Sequence, residues 1–320
     1  MTTDAHRRRP LRFGLTTALP RNGADSRAFA QRVESAGVDV LTFADHLAPV
    51  TAPFSGATAA AAVTSRLVVG TLVLNNDLRH PVDTAREAAG VATVSDGRFE
   101  LGIGAGHMKS EYDAAGIAFD RAGMRVSRLV ESVGVIRKLI DGDAVDLDGQ
   151  HYRIHAAAGE LLAPPPHRVP TLIGGNGTRV LELAGRMADI VGLAGISHNH
   201  DATQVRLSHF DAAGVADRIA VVREAAGDRF AEIELNALIQ AVVLSDDRRR
   251  TAEELASDFG AAPEALLASP FILIGSHEQM AEQLVARQRE FGISYWTVFD
   301  ELPGRSSALP DITEVIALLR

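Results

Sequence analysis

Leu67-Val-Val-Gly-Thr-Leu-Val-Leu74 is an apolar run of strand length, and Arg98-Phe-Glu-Leu-Gly-Ile-Gly104 is a second one. Between them, Pro81 opens a helical pattern that continues to about Val94, in keeping with the preference of proline for the first position of a helix. Both runs are apolar almost throughout, as is typical of parallel strands that are covered on both faces. The stretch therefore predicts two parallel strands joined by a helix.

The same alternation of strand and helix continues along most of the chain. The predicted strands are residues 11–16, 38–43, 67–74, 98–104, 170–174, 189–193, 233–244 and 293–299. The predicted helices cover about residues 25–36, 53–65, 81–94, 123–140, the region of 181–183, 204–226 with a break near 214, 276–291 and 310–319. Eight strands, each followed by a helix, predict an α/β protein with a closed (β/α)₈ barrel, the TIM barrel.

Two segments interrupt the alternation and are predicted to be insertions after strands four and seven. The first holds a hairpin over residues 145–154, and the second is the polar, partly helical segment 246–270. We predict one domain over residues 11–320 behind a short flexible tail over residues 1–10. The alternative is a doubly wound open sheet, which would carry G-x-G-x-x-G directly after strand one, where this sequence has Thr16-Thr17-Ala18.

The composition narrows the class of protein. The chain has 320 residues, a net charge of -9 and 5% aromatic residues, which argues against a nucleic-acid-binding protein. It contains no cysteine, so disulfides, thiolate metal sites and cysteine nucleophiles are excluded. The apolar runs are shorter than the roughly 18 residues that a membrane span needs, and the polar N-terminus does not resemble a secretory signal. We expect a cytoplasmic protein with a small-molecule partner.

The functional groups of a TIM barrel come from the C-terminal ends of its strands. Asp45-His46 follows strand two and suits acid/base chemistry or hydrogen bonding to a planar ring; a capping Asp with a surface His is the alternative. The end of strand three, residues 70–76, could line a flat pocket or be a plain core strand. Residues 102–107 would let a ligand approach the backbone, or form a glycine-rich turn. Residues 173–178 place free N–H groups at a helix N-terminus, which predicts a phosphate site; a simple turn is the alternative.

Metal and Schiff-base chemistry find no support in the sequence. His198-Asn199-His200 lacks a third ligand at helical spacing, so a loop is favoured over a metal site, and we predict no metal. Lys109 and Lys138 are the only lysines, and neither lies in a predicted barrel strand. A Schiff-base aldolase needs a lysine there and is excluded.

Several short motifs together form a recognisable order. They are Asp45-His46, residues 70–81, residues 95–106, Glu111-Tyr112, Gly116, Phe119, residues 125–129, residues 149–152, residues 170–176 and Ala188-Asp189. This order resembles the luciferase-like superfamily and, within it, the coenzyme F420-dependent oxidoreductases. The resemblance spans about residues 11–300.

The resemblance implies a TIM barrel that binds a flavin or deazaflavin at the C-terminal ends of its strands. It also implies a non-prolyl cis peptide bond beside the ring, here Leu72-Val73. The positions that match the family's cofactor site are Asp45, His46, Leu72, Val73 and Asn75 around the ring, Gly104, Ala105, Gly106 and His107 along the ring and side chain, and Gly174, Gly175 and Asn176 at the phosphate.

Our hypothesis is hydride transfer between coenzyme F420 and a small organic substrate. His46 would hydrogen-bond to the substrate or exchange a proton with it, Asp45 would help to orient it, and His107 is a second acid/base candidate. FMN is the alternative cofactor, with an FMN-dependent monooxygenase as the alternative enzyme. A non-catalytic cofactor-binding protein is the alternative from another class.

The sequence also departs from one branch of the family. Its sugar-phosphate dehydrogenases have a glutamate where His107 stands, and they use lysines that the later barrel loops lack here, so a sugar-phosphate substrate is not expected. Lys109, Arg79, Arg121 and Arg125 could form a basic rim for the acidic cofactor tail, or be ordinary surface groups. The family resemblance further implies a homodimer.

Overall fold

The computed structural model describes residues 9–17, 22–198, 205–300 and 306–320. In chain order its strands are β1 (Arg12–Thr17), β2 (Val40–Phe43), β3 (Val68–Thr71), β4 (Leu74–Asn75), β5 (Phe99–Gly104), β6 (Val145–Asp148), β7 (Arg153–Ala156), β8 (Thr171–Gly174), β9 (Ile190–Leu193), β10 (Ile196–His198), β11 (Val205–Leu207), β12 (Glu234–Ile239), β13 (Ala241–Leu244), β14 (Ile272–Gly275) and β15 (Ile293–Phe299). Its α-helices are α1 (Gly23–Ser35), α2 (Pro53–Ala61), α3 (Pro81–Val94), α4 (Lys109–Ala115), α5 (Ala122–Asp141), α6 (Thr178–Met187), α7 (Ala212–Ala226), α8 (Arg248–Phe259), α9 (Pro263–Ala268), α10 (His277–Phe291) and α11 (Leu309–Leu319).

Nine of these strands form one closed parallel barrel. They follow the order β3-β2-β1-β15-β12-β9-β8-β5-β4, and a further pairing of β3 with β5 closes the ring. β3 and β4 are two parts of one barrel position, separated by residues 72 and 73, so the barrel has eight positions. The predicted (β/α)₈ TIM barrel is confirmed.

Local signals in the sequence set several element boundaries. Helix α3 runs from Pro81 to Val94 as predicted, and its N-cap His80 accepts a hydrogen bond from the N–H of Val82. Helix α10 begins with the predicted capping box of Ser276 and Gln279 and ends at Gly292, which has the left-handed φ of 76°. The hairpin after strand four is also present, as the antiparallel pair β6 and β7.

Three predicted elements need correction, and one strand was missed. Residues 205–207 are a strand, and α7 begins only after Asp211, whose side chain accepts from the N–H of Gly214 in its first turn. Strand seven ends at Ile239, because the chain leaves the barrel at Gln240 and residues 241–244 pair instead with β14. That partner strand was not predicted at all. The third predicted strand is divided at residues 72 and 73.

The barrel interior is apolar in its middle and charged at the N-terminal ends of the strands. Its middle is filled by Val40, Val68, Leu72, Val73, Leu172, Ile190 and Tyr295. At the N-terminal ends of the strands, Arg12 forms ion pairs with Glu100 and Glu234. Burial raises the pKa of Glu100, an effect that Arg12 opposes. This end is closed by its own ion pairs, which leaves the opposite end for a ligand.

Part of the predicted tail is bound to the barrel. Arg9 donates from Nη2 to the carbonyl oxygens of Ala231 and Glu232, at 3.1 and 2.7 Å, and its own carbonyl accepts from Gln288. Residues 1–8, Ala18, Asn199 and His200 lie outside the described residues. No helix in the described part of the chain has the length and apolar character to cross a membrane.

Candidate active site

The C-terminal ends of four neighbouring strands align in one row across the barrel, and the row continues to the middle of β12. Asn75 of β4 pairs with Gly104 of β5, Gly174 of β8 pairs with Gly192 of β9, and Gly192 pairs with Asn236 of β12. Gly104 and Gly174 are neighbours because the preceding residues, Ile103 and Ile173, are paired. Gly104, Gly174 and Gly192, here called the glycine row, therefore give three adjacent strands a stretch without side chains.

Val73 explains why two members of the row are glycine. The Leu72-Val73 peptide bond is cis, as the family resemblance implies. A Cβ atom on Gly104 would lie 2.9 Å from Cγ2 of Val73, and a Cβ atom on Gly174 would lie 3.0 Å from Cγ1. Such distances are shorter than van der Waals contact allows, so the Val73 side chain occupies the space that side chains at these two positions would need.

Asn75 is held by a buried tyrosine. The hydroxyl oxygen of Tyr112 lies 2.9 Å from Oδ1 of Asn75 and 3.1 Å from a carboxylate oxygen of Asp77. Burial, together with the charge of Asp77, raises the pKa of Tyr112 well above its ordinary value, so this hydroxyl keeps its proton. Gly106 has a φ of 75°, and a Cβ atom there would lie 2.2 Å from the Tyr112 hydroxyl. The turn after β5 therefore requires glycine.

Asp45 is buried and fully engaged by neighbouring groups. Its carboxylate accepts two hydrogen bonds from Arg79, at 2.5 and 3.0 Å, and one from the backbone N–H of Asn75 at 2.9 Å. The Asp45 side chain is 3% exposed and that of Arg79 is 22% exposed. The pair thus ties the end of β2 to the end of β4, and sequence reasoning did not detect it.

His46 forms its hydrogen bond with Glu111. Its ring Nδ1 lies 2.7 Å from Oε1 of Glu111, whose other oxygen accepts from the N–H of Leu47 at 3.2 Å. The ring of His107 meets the His46 ring edge-on, with 5.7 Å between the ring centroids. The structure thus brings both predicted histidines together. The carboxylate in contact with His46 is Glu111, which the sequence analysis included only in the family pattern, rather than Asp45.

The predicted phosphate site lies at the start of α6. The N-cap of this helix, Gly177, has no side chain to cap it, so the first N–H groups remain for a ligand. The N–H of Gly175 is already bonded to the carbonyl of Gly192, and the side chain of Asn176 donates to Ser208 O at 2.8 Å. Nη1 of Arg218, which was not identified from the sequence, lies 3.1 Å from the hydroxyl of Thr178, while Nη2 of the same side chain pairs with Asp217 at 2.5 Å.

Most side chains of the proposed basic rim already contact other residues of the protein. Besides the ion pair of Arg79 with Asp45, Lys109 pairs with Asp113 at 2.5 Å. Arg125 donates to the carbonyl of Asp120 and stacks on the ring of Phe119, with 4.0 Å to the centroid. Arg121 is exposed.

Ala105, another predicted site residue, is partly buried against the hydrophobic core. Across the described ranges, no three His, Asp or Glu residues are grouped to hold a metal.

Comparison with known proteins identifies the family. A family model described as luciferase-like monooxygenase matches residues 11–295. The chain belongs to this family. Among its curated relatives is an F420-dependent glucose-6-phosphate dehydrogenase from Nakamurella multipartita, 34% identical over 191 residues, which cover 56% of this chain and 55% of the relative. A protein of the same name from Mycobacterium tuberculosis is 36% identical over 172 residues, half of each chain. The matches to these relatives thus span about half of their length.

Several solved enzyme structures share the fold of this chain over almost its whole length. An F420-dependent secondary alcohol dehydrogenase in complex with an F420-acetone adduct superposes with a TM-score of 0.75 at 19% identity, covering 98% of this chain and 100% of that one. The long-chain alkane monooxygenase LadA superposes with a TM-score of 0.74 at 16% identity, covering 97% and 91%. At these identities the likeness concerns the fold.

Proposed function

We propose that this chain is a coenzyme F420-dependent oxidoreductase that transfers a hydride between the deazaflavin and a small organic substrate. Its family membership and its F420-dependent relatives support the cofactor. The observation that carries the proposal is the convergence, at one end of the barrel, of the glycine row, the Val73 side chain packed over it and the His46–Glu111 pair.

The residues present fit such a cofactor. The Val73 side chain, packed over Gly104 and Gly174, offers an apolar surface that suits a flat ring, and the uncapped start of α6 suits a phosphate. The residues that would hold it directly or shape its site are Asp45, His46, Leu72, Val73, Asn75, Gly104, Ala105, Gly106 and His107 at the ring and side chain, and Gly174, Gly175 and Asn176 near the phosphate. When bound, the deazaflavin supplies hydride chemistry, because carbon replaces the N5 of a flavin and disfavours reaction with oxygen.

The protein's own residues bind and orient the cofactor and the substrate, and they move a proton. His46 uses Nδ1 for Glu111, so Nε2 is the atom that takes the proton of a substrate hydroxyl during oxidation or returns it during reduction. His107 lies close enough to be a second such group. Asp45 holds Arg79 and the N–H of Asn75, and in this proposal it supports the cofactor site indirectly.

The substrate class differs from that of the sugar-phosphate relatives in this proposal. His107 stands where those enzymes have a glutamate. Of the two lysines in the sequence, Lys109 is paired with Asp113 and Lys138 lies in the last turn of α5. We propose a small alcohol or carbonyl compound, and a homodimer that acts in the cytoplasm without nucleic-acid or membrane partners. Light scattering of the purified protein tests the dimer.

The deciding experiment is a titration of the purified protein with oxidised F420, reduced F420 and FMN. We expect saturable binding of F420, and a His46→Ala variant that binds F420 but has lost turnover. Binding of FMN without affinity for F420 would contradict the cofactor assignment, and oxygen uptake with reduced FMN would identify a monooxygenase. Full turnover in His46→Ala would remove its proton-transfer role. F420 binding without reduction or oxidation of any compound in a broad screen would identify a non-catalytic binding protein.

A further inference from the structure

A single buried carboxylate contacts two consecutive residues at the end of β2. Oε1 of Glu111 lies 2.7 Å from Nδ1 of His46, and Oε2 accepts from the N–H of Leu47 at 3.2 Å. The Glu111 side chain is 10% exposed, and that of His46 is 30% exposed. The same carboxylate therefore fixes the backbone after His46 and the plane of its ring.

Glu111 is itself held in place by its neighbour along α4. Tyr112 is fully buried, and its hydroxyl reaches Asn75 and Asp77 at the end of β4. The Tyr112 ring also packs edge-on against Phe119, with 4.9 Å between the centroids. Helix α4 has only seven residues, so these contacts fix its position, and with it the Glu111 carboxylate, relative to the end of β4.

We propose that Glu111 is a positioning residue that keeps the hydrogen of the neutral His46 ring on Nδ1 and thereby leaves Nε2 as the proton-transfer atom. A carboxylate accepts hydrogen bonds, so the ring nitrogen facing it must carry the hydrogen. This inference rests on the proposed function, in which His46 exchanges a proton with the substrate.

A glutamine at position 111 would reverse this arrangement. The N–H of Leu47 can only donate, so the amide oxygen of a glutamine would face it. The amide NH₂ would then face Nδ1 of His46, which would have to accept, and the ring hydrogen would move to Nε2. Glu111→Gln therefore changes which ring nitrogen is protonated, with little change of shape.

The test of this tautomer needs neither cofactor nor substrate. ¹⁵N NMR of the histidine rings distinguishes a protonated from an unprotonated ring nitrogen, and the His46 signals among the 11 histidines are assigned with a His46→Gln variant. In alkaline buffer we expect the hydrogen on Nδ1 in the wild type and on Nε2 in Glu111→Gln. Asp113→Asn is the matched control, because it removes an exposed carboxylate from the same helix. It should leave the His46 signals unchanged.

Kinetics link the tautomer to the reaction. We expect Glu111→Gln to lower kcat by about 100-fold, the lower end of what general acid/base catalysis contributes. KM and the Kd for F420 should remain near their wild-type values, and Asp113→Asn should have wild-type kcat. A loss confined to F420 affinity would instead assign Glu111 to the binding site and overturn the inference.

The two hypotheses fail in different ways. A wild-type His46 with its hydrogen on Nε2, or an unchanged tautomer in Glu111→Gln, overturns the role of Glu111, and the wild-type measurement needs no variant to fold. The expected change of tautomer with unchanged kcat supports the positioning by Glu111 and contradicts the proposed role of His46 in proton transfer.

Discussion

Removing the carboxylate of Asp45 should destabilise the protein because it leaves a largely buried arginine without its partner. Asp45→Ala deletes two hydrogen bonds from Arg79 and one from the N–H of Asn75. Breaking a buried ion pair costs about 3–5 kcal/mol. The Arg79 side chain is 22% exposed, and water can partly replace the lost contacts. We therefore expect the free energy of unfolding to fall by about 2–4 kcal/mol.

The assay is urea denaturation followed by the fluorescence of Trp296, the only tryptophan in the sequence and a fully buried one. A double-mutant cycle with Arg79→Ala should give a coupling energy of about 1–3 kcal/mol. Asp83→Ala is the control, because Asp83 is half-exposed and pairs with Arg86 at 3.4 Å. Its effect should stay within about 0.5 kcal/mol.

Two results would refute this reasoning. One is an Asp45→Ala protein as stable as the control variant. The other is the absence of coupling to Arg79, which would mean that the observed ion pair contributes nothing to folding. A variant of wild-type stability and F420 affinity that had lost turnover would assign Asp45 to the chemistry instead.

Three further predictions concern the site and its supports. Gly104→Ala should abolish F420 binding in a fluorescence titration, because its Cβ would lie 2.9 Å from Val73 and force that side chain to move; unchanged affinity would contradict the proposed fit. Tyr112→Phe should lower the stability to urea by about 1–2 kcal/mol, because Asn75 loses a buried hydrogen bond; an equal loss in an exposed control would argue against that cause. Burial alone would raise the pKa of Glu131, but three backbone N–H groups of residues 150–152 lower it. Its stabilisation should therefore be present at neutral pH and be lost as the pH falls through the lowered pKa, so the difference between wild type and Glu131→Gln should vanish in acid.

The barrel was predictable because its signals are local. The limits of α3 follow from Pro81, and those of α10 from the capping box and Gly292. The apolar run of residues 233–244, in contrast, contains no sign that the chain leaves the barrel at Gln240. That turn depends on distant partners, since the N–H of Gln240 donates to Phe271 and its side chain donates to Ala194. An apolar run predicts burial but does not identify the neighbouring strand.

The candidate site was predicted in its location and only partly in its contacts. His46 and the glycine-rich ends of β5 and β8 converge as expected, because the C-terminal ends of parallel strands meet at one end of a barrel. The partner of His46 is 65 residues away along the chain, and Arg218 is 40 residues away from Thr178. No spacing rule covers such distances. A carboxylate on the helix after a glycine-rich strand end was the available signal for Glu111.

The absence of side chains along Gly104, Gly174 and Gly192 has a consequence for engineering new specificities. Side chains added at Gly104 or Gly174 would meet Val73, so chemical diversity has to enter from neighbouring segments. The β10–β11 strand pair is the natural place for a library, since its base is fixed by the amide of Asn176 on the carbonyl of Ser208. Randomising Arg206 and Leu207 would vary this strand while Gly104, Gly174 and Gly192 stay unchanged.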